Sequence, residues 1–387
     1  MKQELRLINT TQDFKALQHD WNMLYEKSKR SSIFSSWDWM FTWWEVFSDQ
    51  YNRELFIICL YQNEELVGIA PFQLVSSFPR SLIQGRTLCF IGSGESQDDL
   101  IVSQFIDFIV LPGIEDLMVK KVSEYLLESK RKWDFADFEF LLEDALIMRC
   151  FSSNNSKVSQ KLVQYGARYY VSDVASFDDF QGQLGNRWKK MLTKKSRLLS
   201  RDGEVRIDST DTTESIEPAL EQLADMHRAR WQKRIGRSVF SSTRFYRFHH
   251  KILHQLQAKN KASIKTLYLN DEALASYYSF TDKEQVHYYQ SGFYSKNANR
   301  YSPLFILVCN EIASAIENEQ IFDFMFSEEL NSYKKQQYAA KSKAMYRLRW
   351  SPVPLRFLIF DCAKFLRTKF FEIKEKVKKK QSPQIHT

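Results

Sequence analysis

An α/β protein of two units is predicted by three features of this chain. Its 387 residues exceed what one ordinary core holds. A hydrophobic content of 44%, with 15% aromatic residues, suffices for a folded globular body. Helical and strand patterns alternate in both halves, which predicts in each a central sheet flanked by helices. The expected units are residues 1–170 and 171–350, followed by a basic tail over 351–387.

In the first unit, Phe14 to Arg30 shows helical spacing through Leu17, Trp21 and Leu24. Ser36 suits the N-cap of a Trp-rich helix from Trp37 to Phe47, in which Trp39, Trp43 and Phe47 share one face. A wide aromatic face of that kind predicts core packing. Leu55 to Tyr61 and Leu66 to Val75 read as a hairpin around Asn63-Glu64. Gly92-Ser93-Gly94 follows a strand from Leu88; too short and without a lysine, it reads as a turn rather than a phosphate cradle. A strand is expected at Phe105 to Val110, a helix from Pro112-Gly113 to Lys130, a strand at Trp133 to Leu142, and a loop at Phe151 to Ser159.

The second unit should open with one helix from Phe177 to Ser200, stopped by Asp202-Gly203, and continue with the strand Val205 to Ile207 and a helix from Glu217 to Lys233. Gln285 to Tyr294 suits a strand, and Ser295 to Ser302 a polar loop. Ser302 and Pro303 then fit the N-cap and first position of a helix to about Glu319. The free N–H groups of its first turn, with Lys296 and Arg300 upstream, could hold a phosphate. Ile321 to Phe326 should be a strand beside the first, delivering Ser327, Glu328 and Glu329 at its end, where ligands gather in open α/β sheets.

Charge and cysteine content narrow the classes. Residues 187–206 hold eight Lys or Arg against two acids, and residues 356–387 nine against three, within a formal net charge of +8. Two local basic patches on a mildly acidic body favour specific anionic partners over general coating of nucleic acid. The five cysteines lack Cys-x-x-Cys spacing and neighbouring histidines, so neither a disulfide framework nor a metal is expected; Cys59, Cys89 and Cys309 lie in apolar runs and read as core. No apolar run reaches about 18 residues and no signal-peptide core follows Met1, which predicts a cytoplasmic location. Leu355 to Val377 can form a basic, Phe-rich amphipathic helix able to lie on an anionic inner-leaflet surface through residues 355–380, or to dock on the protein itself.

Several segments, taken in order, resemble a known family. Phe34-Ser35-Ser36-Trp37-Asp38-Trp39-Met40-Phe41-Thr42-Trp43-Trp44 precedes Leu66-Val67-Gly68-Ile69-Ala70-Pro71-Phe72. A His-x-x-Arg-Trp pattern follows at His227, Arg230 and Trp231, then Tyr288-Tyr289-Gln290-Ser291-Gly292-Phe293, Tyr301-Ser302-Pro303, Asp323-Phe324-Met325 and Tyr333-Lys334. Together, from about Phe34 to Trp350, they resemble the BioF2-like or CelD-like acetyltransferases of the GNAT superfamily, a resemblance that implies a Fem-like architecture of two tandem GNAT-like domains, each a mainly antiparallel mixed sheet flanked by helices, an α+β arrangement within the α/β class. The chain departs from that pattern where Leu304 replaces a glycine after Ser-Pro, and where Phe326 and Ser327 replace an Arg-Gly-acidic turn.

The resemblance implies an N- or O-acyltransferase that uses acetyl-CoA or another acyl-CoA and no metal. Glu329 is then the expected general base and Tyr333 the acid. Lys296, Arg300, Tyr301 and Ser302 are the expected ligands of the coenzyme phosphates. His227, Arg230, Tyr289 and Lys334 are expected in the substrate pocket. The acceptor is expected to be a small molecule or carbohydrate, in cell-surface polysaccharide or envelope synthesis. Two alternatives stand: a Fem-like ligase using aminoacyl-tRNA, with the Trp188 to Arg206 helix gripping RNA, and an inactive membrane-associated binding protein.

Overall fold

A computed structural model describes residues 2–76, 85–151, 158–210, 215–235, 238–328 and 333–353. Among these, thirteen strands form one mixed sheet flanked by helices, as the patterns predict. The first six strands are β1 (Gln3–Ile8), β2 (Arg53–Gln62), β3 (Glu65–Ser76), β4 (Arg86–Phe90), β5 (Ile109–Val110) and β6 (Phe135–Leu142). They continue with β7 (Ser159–Val171), β8 (Val205–Ser209), β9 (Ala262–Leu269), β10 (Glu272–Asp282), β11 (Gln285–Phe293), β12 (Ile321–Ser327) and β13 (Lys341–Ser351). The order across the sheet is β1-β2-β3-β4-β6-β13-β7-β12-β11-β10-β9-β8, with β5 paired to β3.

The directions along that order repeat. From one edge, β1 to β4 are antiparallel, β6 is parallel to β4, and β13 is antiparallel to β6. From the other edge, β8 to β11 are antiparallel, β12 is parallel to β11, and β7 is antiparallel to β12. The two halves therefore have the same plan with their last strands exchanged. β7 follows β6 in the chain but pairs with β12, while β13 follows β12 but pairs with β6, and the two join along eleven residue pairs from Lys341↔Tyr170 to Ser351↔Ser159. The expected boundary between residues 170 and 171 falls within the end of β7.

The helices follow local rules. α1 (Thr11–Ala16) and α2 (Gln18–Lys27) lead to α3 (Trp37–Phe47), where Ser36 Oγ accepts from the Trp39 N–H at 3.3 Å. Trp39, Trp43 and Phe47 are fully buried, as their spacing requires. Asn63 and Glu64 both have positive φ, which the tight turn between β2 and β3 demands. α4 (Glu115–Glu128) closes the first half. The Gly92-Ser93-Gly94 turn offers its carbonyls inward, where the Arg53 guanidinium takes Ser93 O and Gly94 O and Gln73 Nε2 donates to Ser93 O at 3.0 Å.

Four expectations need correction. Only Ile109–Val110 pairs as a strand in the segment expected from Phe105, because Val102 and Phe105 take positive φ and break the extended run. The helix expected over 177–200 is two, α5 (Phe177–Gln183) and α6 (Asn186–Asp202), separated where Leu184 and Gly185 turn extended. After α7 (Ile216–Ile235) and α8 (Thr243–Gln257), the polar loop expected at 295–302 is a short helix, α9 (Ser295–Tyr301). Ser302 then sits left-handed between α9 and α10 (Pro303–Glu317), and its side chain makes no cap bond, so it links two helices rather than capping one. The amphipathic tail, from residue 354, lies outside the described residues.

The halves share a core. Trp39 packs edge-on against Phe248, Phe280 and Tyr289 from the second half, at 4.9, 5.1 and 6.0 Å between ring centroids. Polar bonds cross beside it: Tyr25 Oη donates to Asp282 Oδ2 at 2.6 Å, Thr42 Oγ1 to Gln255 Oε1 at 2.9 Å, and Ser242 Oγ to Asp99 Oδ1 at 2.5 Å.

A buried charge cluster sits where β7, β11 and β12 meet. Asp323 is wholly buried, with Oδ2 at 2.9 Å from Arg168 Nε of β7 and 3.3 Å from His287 Nδ1 of β11. Its other oxygen accepts the Met325 N–H at 2.7 Å. Burial alone would raise the Asp323 carboxyl, but the Arg168 charge, His287 and the Met325 N–H outweigh it and hold the group below its ordinary value. Its contribution is therefore present above the unfolded-state value of about 3.9 and lost as pH falls through the lower folded value. Denaturation midpoints measured from about pH 6 down to about pH 3 should fall for the native chain. Asp323→Asn should lack that part of the acid dependence and lose about 3–5 kcal/mol at neutral pH, because Arg168 is left buried without its counter-charge.

Candidate active site

The site is built on a ladder that stops. β11 and β12 are parallel for three residue pairs, Gln285↔Ile321, Val286↔Phe322 and His287↔Asp323, and the pairing ends there. Met325, with φ +61°, bulges β12 against β7 just beyond this point. Two backbone groups of β12 past the last pair are held by side chains. Phe324 O accepts from Lys334 Nζ at 2.9 Å, and the Phe326 N–H donates to Gln104 Oε1 at 2.9 Å. Lys334 belongs to α11 (Tyr333–Gln337), whereas Gln104 comes from the first half.

Aromatic rings line both sides of the divergence. On the α10 side, Tyr288 and Phe324 lie 6.0 Å apart between centroids, Phe324 and Tyr338 4.8 Å, and Phe305 and Tyr338 5.5 Å. Tyr288 Oη donates to Ser291 Oγ. On the other side, Phe326 packs against Phe140 and Tyr165 at 4.9 and 4.8 Å. Burial raises the hydroxyls of Tyr288 and Tyr338 well above the ordinary tyrosine value, and the nearby Tyr333 adds to both shifts. Tyr333 itself is 57% exposed.

The predicted residues fall into separate groups. Lys334 and Tyr333 stand at the divergence, one bonded to β12 and the other open to solvent. His227 and Arg230 of α7 lie at the far end of β11. There Gly292 lets the helix approach so closely that an added Cβ would come within 2.5 Å of Met226 Cβ and 2.9 Å of His227 N. His227 is buried with Nδ1 at 2.8 Å from Ser238 Oγ, and burial, with the charges of Arg230 and Arg228, lowers its pKa to about 4. At neutral pH it is an uncharged packing residue. Arg230 covers the Phe293 ring at 4.6 Å.

Tyr289 turns away from this end: its ring packs on Trp39, His249 and Tyr278, and its hydroxyl donates to Ile101 O. Glu329 lies outside the described residues.

The expected phosphate ligands meet a carboxylate instead. Arg300 and Tyr301 both donate to Asp202 Oδ2 at the end of α6, and Arg300, then Arg201 and Tyr301, lower the Asp202 carboxyl to about 2. Lys195 of α6 donates to Asn299 O and Arg300 O at 2.6 and 2.5 Å, closing the end of α9. Lys296 is exposed and 3.9 Å from Glu272. Lys189, Lys190, Lys194, Arg197 and Arg201 line one face of α6 along a groove of about 610 Å³. Sequence reasoning missed Gln104, which has no local signal, and Asp202, which it read only as a helix stop.

Comparison with known proteins gives this geometry a class. Residues 186–335 match the family model described as Acetyltransferase (GNAT) domain. The second half therefore carries a domain of the acyltransferase class, and the divergent β11–β12 pair lies inside it. None of the curated proteins matches the chain. Solved structures share the fold at low identity. FemX has a TM-score of 0.54 at 10% identity over 90% of this chain and 97% of its own. The C-terminal domain of a putative lysylphosphatidylglycerol synthetase from Agrobacterium fabrum has 0.52 at 10%, over 92% and 95%. The L-PGS of Bacillus licheniformis has 0.51 at 13%, over 89% and 96%.

The closeness of α7 to β11 gives a direct test. Gly292→Ala should destabilise the protein by about 1–3 kcal/mol in urea titration, since both obstructing groups are backbone or Cβ atoms that cannot rotate away. An unchanged midpoint would mean that α7 does not rest on β11 at this distance.

Proposed function

We propose that the chain moves an acyl group from acyl-coenzyme A to an amine or hydroxyl acceptor at the β11–β12 divergence. One observation carries the reading: Phe324 O and the Phe326 N–H leave the strand ladder and are held by two exchangeable side chains, Lys334 and Gln104. An extended arm bearing amides, such as pantetheine, offers both a donor and an acceptor that could take their places by strand addition. Domains of the matched class generally use acyl-CoA donors, which supports the same reading.

The reaction joins the acceptor nitrogen or oxygen to the thioester carbonyl carbon and breaks the carbon–sulfur bond. It needs a base for the acceptor proton, a donor to the developing oxyanion and a proton for the departing thiolate. We assign the base to Glu329 and the acid to Tyr333, which is 57% exposed and next to Lys334 in the chain. Lys334, released from Phe324 O, can turn its charge toward the donor. The Arg300 side chain of the Arg300–Asp202 pair is 58% exposed, so a diphosphate could reach it and compete with Asp202 as the partner of Arg300 and Tyr301. Lys296, on the same short helix, adds charge. We further propose an acetyl donor and a carbohydrate or other envelope acceptor of the kind the BioF2-like and CelD-like proteins suggest. A cytoplasmic location, with peripheral contact with anionic membrane through residues 355–380, belongs to the same proposal. Among the described residues no helix is long and apolar enough to cross a membrane.

The basic face of α6 supports a second reading, transfer of an aminoacyl group from tRNA, because a row of five cations suits a polyphosphate backbone as well as a coenzyme. Thermal denaturation separates the two. Acetyl-CoA at tens of micromolar should raise the melting temperature while bulk tRNA at low salt leaves it unchanged; the reverse pattern selects the tRNA reading. With an acceptor in hand, Glu329→Gln should lower kcat about a hundredfold without changing the melting temperature, and a normal rate would remove Glu329 from the role.

A further inference from the structure

We propose that Glu217, His250 and His254 form a surface site for a divalent transition-metal ion of the zinc class, bridging α7 and α8. Sequence analysis expected no metal, from the spacing of the cysteines, the lack of histidines beside them and the family resemblance. Folding brings in the carboxylate of Glu217, 37 positions from His254, to which it is hydrogen-bonded. His250 and His254 are four apart on α8, so their rings stand one turn apart on one face, with centroids separated by 4.8 Å. Both direct Nε2 at the same oxygen: His254 Nε2 is 2.8 Å and His250 Nε2 3.4 Å from Glu217 Oε1. One ligand atom from each of the three residues can be chosen so that all lie within 4.8 Å of one another.

Those separations match a metal site. Ligands on tetrahedral zinc, with bonds of about 2.0–2.2 Å, stand roughly 3.3 Å apart, so small rotations of exposed side chains suffice. Two imidazoles and one carboxylate suit zinc, nickel or copper, whereas calcium and magnesium ask for oxygen ligands throughout. The three side chains are 41%, 34% and 49% exposed for His250, His254 and Glu217, leaving room for water in the fourth position. The elements joined give the site its consequence. α7 lies on β11 at Gly292, while α8 is fastened to the first half by Gln255 on Thr42 and Lys251 on Glu45 at 2.9 and 3.0 Å. An ion between them ties the helix beside the acyltransferase cleft to the helix docked on the other half, and acts on stability rather than on the chemical step.

The test uses the full chain without an affinity tag, stripped with chelator and held near neutral pH. Zinc at about 100 µM should raise the melting temperature by a few degrees and bind one equivalent by calorimetry, while magnesium and calcium do neither. Cobalt should give the visible absorption of a four-coordinate site. All three side chains are on the surface, so the His250→Ala/His254→Ala double variant and Glu217→Gln should fold normally and lose the zinc shift. No zinc-specific shift in the native chain, or the same shift in the double variant, would overturn the site. An undiminished shift in Glu217→Gln would remove the bridge between the helices. None of these readouts depends on acyl transfer.

Discussion

The fold turns on three residue pairs of parallel strand. β11 and β12 pair only from Gln285↔Ile321 to His287↔Asp323, and the last of these pairs is part of a buried charge cluster completed by Arg168. A carboxylate without solvent is tolerable only with a counter-charge and hydrogen bonding, and Asp323 has the Arg168 charge and the Met325 N–H. That constraint pins the strands at one point. Beyond it they separate, and the backbone of β12 turns to side chains for partners. The opening is therefore produced by the same group that holds the sheet together.

Arg168 reaches this point because β7 is exchanged. The strand follows β6 in the chain, yet it lies against β12, while β13 returns to β6. Each half of the sheet is thus completed by a strand from the other half of the chain. Gln104 extends the same interdependence to the cleft, since a residue of the first half occupies a backbone donor of the second. The aromatic seam around Trp39 makes the arrangement rigid: rings from α3, α8, β10 and β11 meet there with little freedom to slide.

Local features were legible from the residues alone. The Ser36 cap, the Trp39-Trp43-Phe47 face, the Asn63-Glu64 turn and Pro303 at the start of α10 all depend on neighbours within a few positions. Lys334 was expected in the pocket only from a family pattern, and its bond to Phe324 O has no signal in the sequence. Arg300 was read as a phosphate ligand from its place before a helix, and Tyr301 from the family resemblance; the structure brings Asp202 to both from α6, a partner 98 positions away from Arg300. The break at Gly185 and the extra helix α9 were missed because both positions could follow either course, and packing chose.

By itself the sequence determined the α/β class and where most helices and strands lie. Those are consequences of periodicity, capping and turn chemistry, which act over one or two turns of chain. Only the tertiary structure decided that the terminal strands change places, that Asp323 is paired with Arg168 beside His287, that Gln104 enters the cleft, and that Glu217 meets two histidines of another helix. Each of these joins residues distant in the chain, where the entropy of closing the loop is offset only by burial and charge pairing in the finished fold.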